Sequence, residues 1–149
     1  MEFHLAQFNV AKARYPLDDL RMGEFVNLLQ AVNREGELAP GFVWILKDGS
    51  GTAVNFNPFN DPSLLVNLTV WESLESLRQY VYHGLHGQAF AKRKAWFETT
   101  GKEHLVLWWI PKGHIPTLAE AKHKMEMLWK EGPSGAAFTF KKLFIPPNL

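Results

Sequence analysis

Cysteine is absent from this 149-residue chain. Disulfide staples, thiolate catalysis and Cys-based metal sites are therefore excluded, and a reducing compartment is compatible. A surplus of either charge is also missing, since sixteen Lys and Arg face fifteen Asp and Glu. Without a broad basic surface there is no footprint for phosphate backbones or anionic lipid, so neither nucleic acid nor membrane is an expected partner. The one compact basic run, Lys92-Arg93-Lys94, falls in a helical pattern and reads as a solvated face. No stretch approaches the roughly 20 apolar residues of a membrane span. The opening MEFHLAQFNVAKARYP lacks the basic-then-apolar layout of a secretion signal. A cytoplasmic location is the expectation, and the Asn67-Leu68-Thr69 glycosylation sequon reads as accidental. A Gly-rich dinucleotide fingerprint and a convincing metal-ligand triplet are lacking too, so no cofactor or metal is expected.

What the chain does have is apolar bulk: 46% hydrophobic residues, with six Trp and eleven Phe. At this length a single domain over residues 1–149 can bury about 70% of the surface its unfolded form exposes. Phe3 to Val10 alternates as a strand. Asp18 or Asp19 can cap a helix whose stripe is Met22, Phe25, Val26, Leu29 and Val32, fading around Gly36 to Pro40. Phe42 to Leu46 reads as a second strand, Asp48-Gly49-Ser50-Gly51 as a plain turn, and Leu64 to Trp71 as a third strand. A helix follows Ser73, with a break near Gly84 and Gly87 before a second segment from about His86 to Phe97. His104 to Ile110 is a fourth strand. Thr117 with Glu120 forms a capping box for a last helix that Gly132-Pro133 ends, and Ala137 to Phe140 adds an edge strand or arm.

The order β-α-β-β-α-β with an extra C-terminal helix is the ferredoxin-like split βαβ, an α+β fold. Both faces of Leu105 to Ile110 are apolar, whereas the motif puts its helices on one side of the sheet. The other side must then meet another sheet, a partner or a ligand, and a face-to-face homodimer, the dimeric α/β barrel, is the simplest answer.

Four segments carry a resemblance: Phe3 to Asn9, Leu65 to Ser73, Leu107 to Thr117 and Gly132 to Phe140. Together they resemble the family called domain of unknown function 3291, over nearly the whole chain. That family is grouped with dimeric α/β-barrel proteins, beside antibiotic-biosynthesis and haem-degrading monooxygenases and several binding or structural members. The resemblance implies Asn67 and Trp71 as counterparts of an Asn and a Trp in cofactor-free, quinone-forming monooxygenases. Tyr80 or Tyr82 would stand in for a third, Tyr, member. Set against the haem-degrading relatives, Gln7 or Asn9, Tyr80, and His83 or His86 would have to serve.

Strand alternation puts Leu65, Asn67, Thr69 and Trp71 on one face, and the first strand can present Gln7 and Asn9 to match. Such amides inside an apolar sheet either close a hydrogen-bond network or line a small cavity. His83 and His86, three apart, could reach one metal, but no third ligand stands near, and a single His as base or ligand orienter suits a pKa near neutrality. The site expected on these grounds has Asn67, Trp71 and His86 as catalytic residues and Gln7, Asn9, Tyr80, Tyr82 and His83 as ligand-binding residues. Two functions compete. One is an enzyme or binder for a small aromatic or quinone-like molecule, of the cofactor-independent monooxygenase type. The other is a non-catalytic dimeric structural or interaction module, with a haem-binding relative as a third reading.

Overall fold

The computed structural model describes residues 1–49 and 52–147. Its strands are β1 (Phe3–Ala13), β2 (Phe42–Ile45), β3 (Leu64–Trp71), β4 (Phe97–Glu98) and β5 (Leu105–Pro111). Its helices are α1 (Gly23–Glu37), α2 (Leu74–Tyr82), α3 (Gly84–Ala91), α4 (Arg93–Trp96) and α5 (Leu118–Glu131). β1 is central and antiparallel to every neighbour. On one edge it pairs with β3, from Leu5 opposite Trp71 to Lys12 opposite Leu64. On the other edge it pairs with β5, from Phe3 opposite Pro111 to Asn9 opposite Leu105, and then with the two residues of β4. β2 lies outside β3, with a register shift between Phe42 and Trp44. The order β2-β3-β1-β5 is that of the ferredoxin-like motif.

The helix starts follow their side chains. Asp19 Oδ1 accepts from the Arg21 amide at 2.8 Å and opens a short 3-10 turn, Leu20–Met22, that leads into α1. Ser73 and Ser76 cap α2 reciprocally. At α5 only half of the expected capping box forms: Thr117 Oγ1 accepts from the Glu120 amide at 3.1 Å. The Glu120 carboxylate is drawn elsewhere, accepting from the Trp108 indole at 2.9 Å and meeting His114 Nε2 at 2.8 Å. A charged acceptor shared by a ring donor and a buried indole outweighs a backbone contact at the surface.

Three further expectations are corrected. Val26 is exposed, while Met22 and Val32 of the expected stripe turn inward and Asn33 joins them. The segment expected as one helix from His86 to Phe97 is α3 and α4, and Phe97 has already entered β4. The break before α3 falls where His83 is extended and Gly84 takes φ +62°. A Cβ at Gly84 would collide with the Glu35 carboxylate, which accepts from the Leu85 amide at 2.9 Å. Of the turn read at Asp48 to Gly51, Ser50 and Gly51 lie outside the described residues.

The third correction concerns the second sheet face. Phe8, Leu68 and Val70 on that face are fully buried, and Trp108 and Ile110 nearly so, within one chain. Ala121, Met125 and Leu128 of α5 pack on them, with Phe56 and Phe59 from the connection before β3. The face assigned to a partner copy is thus filled by the chain's own last helix. Leucine, methionine and alanine on one stripe of α5 supply the apolar surface that a second sheet was expected to bring. The C-terminal segment is the expected edge piece: Phe138 exchanges backbone bonds with Leu107 at 2.7 and 2.9 Å.

Candidate ligand-binding site

The register of β1 on β3 sets Gln7 opposite Thr69 and Asn9 opposite Asn67. All four point to the face covered by α1, α2 and α3. There they form a chain of hydrogen bonds. Asn9 Nδ2 donates to Gln7 Oε1 at 2.6 Å, and Gln7 Nε2 donates to Asn67 Oδ1 at 3.0 Å and Thr69 Oγ1 at 2.9 Å. The Trp71 indole N–H donates to the same Thr69 oxygen at 2.8 Å. Gln7 and Thr69 are almost fully buried, so these bonds offset the cost of taking amide and hydroxyl groups out of water.

Above this polar floor lies a cavity of about 220 Å³. Apolar residues of α1 (Phe25, Leu29, Val32), α2 (Leu77, Val81) and α3 (Ala89, Phe90) enclose it, with Ala11, Leu65 and Leu105 from the sheet. Gln7, Asn9, Asn67, Tyr80 and His86 all reach its wall. An apolar cavity of roughly 150 Å³ accepts benzene, and drug-sized ligands occupy about 300–1,000 Å³. The volume therefore suits one ring or two fused rings. A haem macrocycle does not fit it.

Tyr80, His86 and Trp71 form an aromatic ladder beside the floor: Tyr80 stacks on Trp71 at 5.0 Å and meets His86 at 4.7 Å. The Tyr80 hydroxyl donates to the Val32 carbonyl at 3.0 Å, and burial raises its pKa far above the ordinary tyrosine value. It is held as a neutral donor. His86 Nδ1 lies 2.8 Å from the Val81 carbonyl, which can only accept, so Nδ1 carries the proton and Nε2 keeps its lone pair. Burial lowers the His86 pKa, against smaller opposing effects of the Val81 carbonyl and the Glu35 charge. The ring is neutral at pH 7 and able to take a proton.

Of the residues expected from sequence, Gln7, Asn9, Asn67, Tyr80 and His86 are brought to one cavity. Trp71 does not reach it, because Tyr80 covers its ring and Thr69 holds its indole. Tyr82 is half-exposed, packing on Phe90 and Phe140. His83 lines a separate, open groove of about 610 Å³ on the outer surface, beside Arg34, Leu38 and Gln79. Sequence reasoning passed over Asn33, Arg93 and His104, which also line the cavity. Asn33 had a signal: it extends the row Phe25, Leu29 at the four-residue spacing of one helix face. Arg93 and His104 had none, being placed by the break between α3 and α4 and by the loop entering β5.

This fold is shared with solved structures of low sequence identity. A conserved protein from Methanosarcina mazei Go1 is 14% identical, with 71% of this chain and 91% of that one covered at a TM-score of 0.54. A Shewanella oneidensis protein is 5% identical, covering 74% and 93% at 0.54. A Chloroflexus aurantiacus J-10-fl protein, provisionally named an antibiotic biosynthesis monooxygenase, is 17% identical, covering 75% and 97% at 0.50. These define the class: a ferredoxin-like α+β protein of the antibiotic-biosynthesis-monooxygenase fold. At such identities the likeness carries the fold alone. The chain belongs to the family described as domain of unknown function (DUF3291), which matches residues 4–149. No curated protein matches it.

Proposed function

We propose that this chain binds a one- or two-ring phenolic or quinone-like molecule in the cavity between the sheet and α1–α3, and oxidises it as a cofactor-independent monooxygenase. The observation that supports this reading most is the composition of the cavity: an apolar wall over a floor of amides, with a neutral histidine on its edge. Asn67 Oδ1 is engaged by Gln7, which leaves the Asn67 NH₂ to donate to a developing phenolate oxygen. His86, neutral and with Nε2 free, takes the phenolic proton. For 1-naphthol the balance is one O₂ in and one water out: one oxygen atom enters the ring to give 1,4-naphthoquinone, the other leaves as water, and the electrons come from the substrate. Trp71 acts in this scheme by backing Tyr80 rather than by touching the ring. A homodimer stays part of the reading through surfaces other than the sheet face that α5 fills.

The rival reading, a non-catalytic module, draws on the closure of the amide chain: Gln7 donates twice and accepts once inside the protein, and Thr69 Oγ1 accepts twice. Oxygen uptake with 1-naphthol, followed beside quinone formation, separates the two. The expected result is uptake that falls on the order of 10²-fold in Asn67→Leu, with the variant still folded. Wild-type protein that neither binds 1-naphthol nor consumes oxygen decides for the rival.

A further inference from the structure

Asn33 and Arg93 give the cavity a polarity that its floor alone does not. Asn33 projects from α1 and is only 7% exposed. It lines the cavity, and its side chain makes no hydrogen bond with any described residue. Among the described residues no side-chain polar atom is sealed away without a partner. The Asn33 amide therefore keeps its access through the cavity itself. A buried amide left open in this way costs stability, and a ligand that completes it recovers that cost.

Arg93 stands where the cavity reaches solvent. Its guanidinium lies 4.0 Å above the Phe90 ring, and Nη1 donates to the Phe90 carbonyl at 2.8 Å. The stacking holds the fork in place, and no carboxylate among the described residues pairs with it. The neighbouring acids are committed: Glu24 to Lys92 at 2.7 Å, and Glu103 to Lys141 at 3.8 Å. His104 lines the same rim. A positioned, unpaired guanidinium at the mouth of an apolar cavity matches a carboxylate better than any neutral group.

We infer that the ligand is a one- or two-ring aromatic carboxylate carrying a hydroxyl or carbonyl: the ring fills the cavity, the oxygen substituent meets the Asn33 and Asn67 amides, and the carboxylate meets Arg93 at the rim. This rests on the ligand-binding role proposed above for the same cavity. It narrows that role to arene acids.

Calorimetric titration of the full chain with 4-hydroxybenzoate and 6-hydroxy-2-naphthoate, each beside its neutral carboxamide, tests it. The acids bind about tenfold more tightly than the amides, and Arg93→Gln removes that difference without weakening the amides. Asn33→Leu weakens the hydroxy acids about tenfold but leaves benzoate and 2-naphthoate unchanged, while its melting temperature holds or rises. Equal binding of acid and amide, or an unchanged ratio in Arg93→Gln, overturns the inference and leaves the ring-binding reading standing. A fall in melting temperature in Asn33→Leu overturns the role given to Asn33. If no acid and no amide binds, both readings fall together.

Discussion

Gln7 and Phe8 are neighbours on β1 and both are almost completely buried, yet they face two kinds of interior. Phe8 enters a dry core of Leu68, Val70, Trp108 and Met125, closed by α5. Gln7 enters a layer of amides and aromatic rings under α1 and α2, where the cavity of about 220 Å³ survives. One sheet thus separates a face that stabilises from a face that is left incompletely packed. Unfilled volume and open amides are costly, and both are concentrated on one face.

The comparison can be broken most forcefully on the dry side. Phe8→Ala removes a fully enclosed ring and is expected to cost about 3–5 kcal/mol in denaturant unfolding. If the loss is under 1 kcal/mol, the α5 face is not the main core. On the other side, Gln7→Leu leaves Asn9, Asn67 and Thr69 each short of a partner, and about 1–3 kcal/mol is expected. Asn67→Leu costs less, under about 1 kcal/mol, because Gln7 keeps Thr69 as an acceptor while only one bond is lost. A loss in Asn67→Leu as large as in Gln7→Leu would make Asn67 a structural member of the network rather than a ligand donor.

Acid sharpens the contrast without mutation. The folded-state pKa of His86 lies below the ordinary 6.5, so the unfolded chain binds the proton more readily. Its contribution to stability is complete above pH 6.5 and is lost progressively as pH falls from there toward the lowered folded value. The melting temperature should decline over that window, and by less in His86→Gln. Tyr80 acts at the opposite end: with its pKa raised by burial, its contribution is complete below pH 10 and is lost as pH climbs beyond it. A melting temperature unaffected by His86→Gln across pH 5 to 7 would contradict the buried, neutral imidazole.

Much of the fold was legible in the residues themselves. Period-two alternation in Phe3 to Val10 and Leu64 to Trp71, and caps at Asp19, Ser73 and Thr117, are local signals, and each governs a neighbouring stretch of backbone. The same alternation puts Gln7 with Asn9 on one face of β1 and Asn67 with Thr69 on one face of β3, and the pairing of the two strands makes those faces one. What sequence left open is what lies across from each face, since that depends on contacts between distant segments. α5 carries an apolar stripe whether it covers its own sheet or meets a partner, and only the tertiary structure shows it folded onto Phe8 and Trp108.

The site divides in the same way. The residue types determined that buried amides on β1 and β3 needed partners or a cavity, because an amide inside an apolar sheet is costly when unpaired. Tertiary structure decided that both occur: the Gln7 chain closes, and a cavity lies over it. It also decided that Trp71 sits behind Tyr80, that His83 and His86 turn to different surfaces, and that Asn33 and Arg93 join the wall. The divergence of His83 from His86 follows from the break at His83 and Gly84, where one extended residue and one left-handed glycine rotate α3 against α2. A rotation of that kind depends on the packing of both helices against α1, and no local stretch of sequence encodes it.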